Sequence, residues 1–344
     1  MWREVTKPIA HPEKDAIISN IMAKRISPTH GSMQFWPRVR AKKESPRIKS
    51  WVKLAEAKLL GFAGYKVGMG HVIIRDTSTK TTKGQEIAMP ITIIECPSLK
   101  PLSLRFYKKT DYGLKLISEL HSKNINKELS RKIKLTKEKE EKKEPMEFDE
   151  LRLQVYTQPK NTGIGKKKPE IFEMGLSGKK EEQLRLAKEL LEREIKLGEV
   201  FKEGELVDIH AVTKGKGFQG AVKRFGVRLR QHKSEKVKRG TGSLGPWKSQ
   251  QHVMPRVPHP GQMGYHTRID FNKLILKIDS NLGINPKSGF HNYGLIKNDY
   301  LLIKGSVAGH VKRLVTLVEP VRGGKGLGAG VEIVTISQES KQWK

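Results

Sequence analysis

The chain has 344 residues, room for one large or two modest domains, and its 67 Lys and Arg against 36 Asp and Glu leave a formal net charge of +31. Such an excess requires a polyanion and points first to nucleic acid. No apolar run approaches the roughly 20 residues that cross a bilayer, and the basic segments lack the amphipathic face that would lie on one. A single cysteine, Cys96, excludes an internal disulfide or a cysteine metal cluster and suits a reducing, cytoplasmic setting.

The first residues, MWREVTKPIAHPEKDAI, have no continuous apolar core and so do not read as a secretory signal. Residues 1–57 read as an extended basic arm. Its part from 22 onward, taken to Lys58, holds ten Lys and Arg against two acids, with Phe35, Trp36 and Trp51 as packing or stacking points and no periodicity. Arg38, Arg40, Lys42 and Lys43 are its candidate phosphate contacts. Strand-like runs then occupy 59–76 and 87–97, so residues 58–97 open a β body; Cys96, inside ITIIECP, reads as a small buried hydrophobe.

Residues 98–200 form a charged, partly helical insertion. Within 128–205 the charges nearly cancel, 19 Lys and Arg against 18 acids, so this part does not belong to the polyanion-binding surface. Leu184, Leu186, Leu190, Leu191, Ile195 and Leu197 recur at helical spacing and predict a helix over 178–197, with Ser177 as its N-cap and Gly198 as its stop. The preceding run, NINKELSRKIKLTKEKEEKK, leaves a second helix and a charged excursion equally open.

Further strand-like runs at 205–213, 272–279, 299–309 and 312–320, short and separated by Gly, Pro and Asn turns, suggest a small closed barrel completed by residues 269–344, the last of them a C-terminal tail. The junction 201–226 carries G-x-G-x-x-G at Gly215, Gly217 and Gly220. A dinucleotide site needs a long helix and a second strand after it, but Gly226 stops the helix within about seven residues and a basic loop follows. A phosphate nest of successive N–H groups, with charge from Lys214, Lys216, Lys223 and Arg224, fits better.

Between Thr213 and Arg268 there are 13 Lys and Arg against one acid, Glu235, together with nine Gly and four aromatic rings: Phe218, Phe225, Trp247 and Tyr265. Like charges repel and too few apolar groups offset the ordering entropy, so the stretch needs an anionic partner, and its rings offer faces to unpaired bases. Residues 227–268 read as a basic finger with Trp247 near its tip; two extended limbs of about 20 residues would reach on the order of 60 Å. Its candidate RNA contacts are Arg228, Arg230, Lys233, Lys238 and Arg239 on the outward limb, then Trp247, Lys248, His252, Arg256, His259, Gln262, Tyr265, His266 and Arg268. His252, His259 and His266 recur every seven residues, but Pro255, Pro258 and Pro260 keep them off one helix face, which disfavours a metal. The alternative, an RNA-modifying enzyme with a basic clamp, lacks paired carboxylates or a nucleophile elbow, and an architectural DNA protein lacks a groove-reading motif.

Phe201, Asp208, Ala211, Thr213, Gly215-Lys216-Gly217, Gly220 and Arg224 stand at the spacing that marks the universal large-subunit ribosomal protein number three, the L-three family. HGSMQFWPRVR, FAGYKVGMGH, GQMGYHTR and LLIKGSVAGH also resemble that family, and the long insertion resembles its archaeal and eukaryotic branch. The resemblance implies a mainly β fold with an α+β insertion, built on a six-stranded barrel of the translation-protein type. It further implies a structural, non-enzymatic protein that binds large-subunit rRNA near its 3′ end, acts early in assembly and sends its finger towards the peptidyl-transferase centre. The implied partners are rRNA and neighbouring ribosomal proteins, with no DNA, no membrane and no homo-oligomer, and no cofactor beyond magnesium ions of the RNA.

Overall fold

Short β-branched and aromatic runs punctuated by glycine give the computed structural model thirteen strands among its described residues, which are 31–76, 83–134, 145, 147–245, 253–323 and 332–338. In chain order they are β1 (Gly61–Arg75), β2 (Glu86–Glu95), β3 (Lys100–Thr110), β4 (Gly113–His121), β5 (Glu150–Tyr156), β6 (Ile171–Gly175), β7 (Leu206–Val212), β8 (Phe218–Gln219), β9 (Gly261–Gln262), β10 (Thr267–Asp279), β11 (Tyr300–Lys304), β12 (Leu314–Val318) and β13 (Glu332–Ile336). The α-helices among the same residues are α1 (Lys180–Glu192), α2 (Leu197–Val200) and α3 (Ala221–Phe225). The chain gathers into two compact units, one of Met1–Val39 with Lys216–Met263 and one of Arg40–Gly215 with Gly264–Lys344.

The larger unit is built on an antiparallel sheet in the order β12-β7-β10-β11-β2-β1-β13. The expected closed six-stranded barrel is thereby corrected: the sheet has seven strands, with β13 added beside β1 at the end of the order. The length of β1 is the physical reason. Its 15 residues outrun the five of β12, so Gly61–Tyr65 pair with β12 while Val72–Arg75 pair with β13 along the same side. Both faces of the first half of β1 are buried, with Phe62, Tyr65 and Val67 fully enclosed. The strands leave little room there: a Cβ on Gly64 would lie 2.6 Å from Cys96 Sγ and 2.7 Å from the Glu95 carbonyl oxygen.

Glu95, at the end of β2, is a fully buried carboxylate held by hydrogen bonds from neutral donors. It accepts from Tyr293 Oη, from the amides of Lys297 (2.9 Å) and Asn298 (3.1 Å), and from Asn298 Nδ2 (2.8 Å). Four donors replace the lost hydration, and in doing so fix the loop 285–298 onto the sheet. Burial and the adjacent Glu95 push the Tyr293 phenol well above its usual pKa, so it stays protonated as a donor.

The insertion holds more β structure than its composition suggests. β3 to β6 form a second antiparallel sheet in the order β4-β3-β5-β6, in a segment read from sequence as charged and partly helical. Leu104, Phe106, Leu151, Leu153, Phe172 and Met174 share one core with the main sheet and with Ala187 and Leu190 of α1. The charged residues alternate with them. Arg105 pairs with Glu119 (3.1 Å) and Glu173 (2.6 Å), and Arg152 pairs with Glu173 (3.3 Å) and Glu150 (2.7 Å), so neutralised pairs line the polar side.

The predicted helix forms, but both its ends differ. Lys179 is the N-cap residue and α1 ends at Glu192, whereas Ser177 Oγ donates to the Glu56 carbonyl (2.7 Å) and Gly198 sits inside α2. Ser177 thus ties the arm down instead of capping the helix. Trp51 anchors the arm as well: a Cβ on Gly175 would meet the indole at 2.6 Å, and one on Gly61 at 3.4 Å, so two glycines clear the space for the ring.

Glycine is needed unequally along β1. Gly64→Ala should cost about 1–3 kcal/mol through overpacking against backbone. Gly70→Ala, with nothing within 4 Å of its added methyl, should change stability by no more than about 0.5 kcal/mol. Urea unfolding of the two full-length variants measures the difference, and equal effects would contradict the packing described for β1.

Candidate nucleic-acid interface

The basic stretch is inserted between β7 and β10, whose pairing of Val212 with Thr267 brings its two ends together. Just outside that pair the chain cannot tolerate a side chain: Gly264 has φ +75°, and a Cβ there would lie 2.0 Å from the Lys214 carbonyl oxygen. His266, expected to contact RNA, is buried and turned inward. Its Nε2 accepts from the Gly264 amide (3.1 Å), its own amide donates to Thr213 Oγ1 (3.1 Å), and its carbonyl accepts from the Thr213 amide (2.9 Å). An accepting Nε2 places the ring proton on Nδ1 and leaves the imidazole neutral.

Tyr265 adopts φ 54°, held by its carbonyl accepting from the Ala41 amide (2.8 Å) and its amide donating to the Lys214 carbonyl (3.3 Å). Two guanidiniums lie over its ring, Arg40 at 5.3 Å and Arg313 at 5.1 Å from the centroid. Arg313 also donates to the carbonyls of Val212 (3.0 Å) and Thr213 (2.7 Å). Sequence reasoning missed Arg313, because it stands at the start of a strand a hundred residues away and only the pairing register brings it here. Arg322, beyond the end of β12, was missed as well; its guanidinium lies over the Phe271 ring at 3.9 Å. Lys66, by contrast, is buried, with Nζ donating to the Val307 carbonyl; burial first and the nearby Lys214 second lower its pKa below the usual lysine value, while Asp270 raises it. Arg268 is half-buried, donates to the Thr267 carbonyl (2.9 Å), and is likewise lowered by burial. Lys42, Lys43 and Lys214 are exposed.

The smaller unit repeats the arrangement. Lys216 and Met263 are joined by an amide-to-carbonyl bond (2.9 Å), Met263 donates to Gly217 (2.9 Å), and β8 pairs with β9, so the finger has a hydrogen-bonded base. α3 follows from Gly220 and stops after five residues at Gly226, φ 67°, too short for a dinucleotide unit. Arg224, expected on a phosphate, donates to the carbonyls of Gln262 (3.1 Å) and His259 (2.8 Å), which fixes the returning limb. Phe225 carries two guanidiniums, Arg38 at 4.5 Å and Arg224 at 5.1 Å, and a Cβ on Gly31 would touch the ring at 3.1 Å. Phe225 and Tyr265 are therefore platforms for arginine in this structure, whereas Phe218, 75% exposed, offers an open face.

Beyond that base the limbs are irregular. Arg230 pairs with Glu235 and donates to the Thr241 carbonyl (3.1 Å), and its amide bonds to the Lys238 carbonyl (3.2 Å), so the outward limb loops back on itself and falls short of the full extension estimated from its length. Arg228, Lys233, Lys238, Arg239, Arg256, His259, Lys216 and Lys223 are exposed; Gln262 is half-buried beside Arg224. Met254 donates to the Leu244 carbonyl (3.4 Å), which brings the two limbs together at these residues. Trp247, Lys248 and His252 lie outside the described residues, as do arm residues 1–30. Among the described residues no three His, Cys, Asp or Glu are grouped to hold a metal ion, and no helix is long and apolar enough to cross a membrane.

The family model for Ribosomal protein L3 matches residues 22–342. The large ribosomal subunit protein uL3 of Methanobrevibacter smithii is 45% identical over 335 residues, covering 93% of this chain and 99% of the relative. That of Methanocaldococcus jannaschii is 45% identical over 329 residues, covering 92% and 98%, and that of Methanothermobacter thermautotrophicus 43% over 337 residues, covering 93% and 99%. With the match running from the arm through the glycine-locked base of the finger to the last strands, the chain belongs to the Ribosomal protein L3 family, in its archaeal and eukaryotic branch, as a structural, RNA-binding ribosomal protein and not an enzyme.

Proposed function

We propose that the chain is built into the large ribosomal subunit on large-subunit rRNA near its 3′ end, that it acts early in assembly, and that its finger points towards the peptidyl-transferase centre. The observation that carries this reading is the pair of arginine-bearing rings, Tyr265 under Arg40 and Arg313, and Phe225 under Arg38 and Arg224. A cation over a ring keeps its charge, so these arginines are fixed points of positive charge for phosphates, Arg38, Arg224 and Arg313 being held further by donating to backbone carbonyls. Exposed Lys42, Lys43, Lys214, Lys216, Lys223, Arg228, Lys233, Lys238, Arg239 and Arg256 supply the diffuse charge around these fixed points. Phe218 is the open ring for an unpaired base, and Trp247 and Lys248 are assigned the same work at the tip. The arm and finger divide this RNA-facing role, while the insertion faces protein neighbours.

Binding of the full-length chain to a 3′-region rRNA fragment should weaken steeply with salt, by about tenfold or more between low and moderate ionic strength, because each neutralised phosphate releases a counterion. Photo-crosslinks in purified large subunits should fall on that rRNA; a flat salt response, or crosslinks confined to other RNAs, would overturn the reading.

Charge alone should not suffice at the stacked positions. Arg40→Lys keeps the charge but loses the planar fork, and should weaken rRNA binding about tenfold, whereas Lys43→Ala at an exposed, unstacked site should weaken it only about twofold. Equal losses in a filter-binding titration would show that the ring contacts do not matter for RNA.

A further inference from the structure

The run LLIKGSVAGH belongs to neither the arm nor the finger. Its strand, β11, ends at Lys304 and not at residue 309, because Gly305 (φ 81°) turns the chain out of the sheet. Gly309 (φ 110°) and Lys312 (φ 71°) turn it twice more before β12 begins at Leu314. The carbonyls of this turn are engaged. That of Gly305 accepts from Thr92 Oγ1 (2.7 Å), those of Val307 and Gly309 both accept from Lys66 Nζ, that of His310 accepts from the Arg313 amide (3.2 Å), and that of Val311 accepts from His310 Nδ1 (2.8 Å).

Its amides are left differently. Those of Gly305 and Lys312 donate to the carbonyls of Pro90 and Lys66 (2.8 Å each), and that of Ala308 to the Asp270 carboxylate (3.1 Å). The amides of Ser306, Val307, Gly309, His310 and Val311 have no acceptor among the described residues. A turn whose acceptors are engaged while its donors are not has the polarity that an anion completes, and neighbouring amides around left-handed residues are a common form of such a site. The charge agrees. Lys304, Ser306, His310 and Lys312 are exposed, no acid stands between Lys304 and Arg313, and buried Lys66 adds a cation at the carbonyls of Val307 and Gly309.

The turn also lies against the point where the basic stretch leaves β7. A Cβ on Gly309 would stand 3.2 Å from the Val212 carbonyl oxygen, which accepts from Arg313 Nη1 (3.0 Å). A docking protein would bury apolar surface, but the exposed residues of the turn are all polar and Val307 is buried. We propose that residues 305–312 form a second rRNA contact, separate from the arm and the finger, in which amides of the turn hold a backbone phosphate and Lys304, His310 and Lys312 surround it. The proposal rests on the reading of this chain as an rRNA-binding protein of the large subunit.

Ser306→Glu places a carboxylate on the turn, and Ser130→Glu adds the same charge at an exposed serine of the insertion. In titrations of the full-length chain against complete large-subunit rRNA, Ser306→Glu should weaken binding about tenfold and Ser130→Glu by no more than about twofold. Ser306→Ala, which keeps the amide, should bind within about twofold of the unsubstituted chain. Equal losses from the two glutamates would reduce the turn to diffuse charge, no loss from Ser306→Glu would remove it from the interface, and a large loss from Ser306→Ala would move the effect to the hydroxyl; each overturns the proposal. A benzophenone amino acid in place of His310 tests the contact without a new charge on the turn. Irradiated, purified large subunits should yield an adduct to rRNA, whereas an adduct to protein alone, or none, would overturn the contact. All these outcomes leave the rRNA reading standing. Failure of the unsubstituted chain to bind rRNA would instead remove that reading and the proposal together.

Discussion

Holding many cations close together without their anions is the constraint on which the rest of the structure depends. In the stretch from Thr213 to Arg268 only Glu235 carries negative charge, and it is paired with Arg230. The remaining order comes from neutral partners. Guanidiniums rest on Tyr265, Phe225 and Phe271, and those of Arg224 and Arg313 donate to backbone carbonyls at the ends of neighbouring strands. Rings and carbonyls attract a cation without cancelling its charge, so the field that draws RNA survives the ordering.

The main sheet fixes where that stretch leaves and rejoins the larger unit. β7 and β10 hold the ends of the stretch in register, Gly264 lets Lys214 and Tyr265 cross closely, and β12 presents Arg313 next to the β7 end. Rigidity there has a source in the core. Glu95, satisfied by four donors, and the glycines that bring β1 against β2 leave few alternative packings for the strands beneath. The charge-balanced pairs on the insertion do a different job: Arg105, Arg152, Glu119 and Glu173 cancel locally and leave that region free of the attraction that dominates the finger.

Much of this was legible in the chain. The partner class followed from charge and from rings threaded with glycine, and the strands at 59–76, 87–97 and 205–213 appear as β1, β2 and β7 with ends shifted by one or two residues. What escaped had physical causes. β3 and β5 alternate apolar residues with Arg, Lys and Glu, so their period-two pattern was hidden under a composition that resembles a solvated insertion. The closed ring of six strands failed to allow for β13, whose five residues gain meaning only because β1 is long enough to accept them. Arg224 and His266 were assigned to RNA by residue type, and type does not reveal the backbone partners that both take, the carbonyls of Gln262 and His259 and the amide of Gly264. Arg313 could be found only from register.

The base of the finger is built by the chain's own hydrogen bonds. Hydrogen exchange at the amides of Lys216, Met263 and Tyr265, each bonded to a carbonyl across the base, addresses this directly. Slow exchange is expected at all three in the free, full-length chain, with little change when an rRNA fragment is added and new protection confined to the finger limbs. Rapid exchange at these amides that slows only on binding RNA would contradict a self-built base, because the RNA would then be assembling the site.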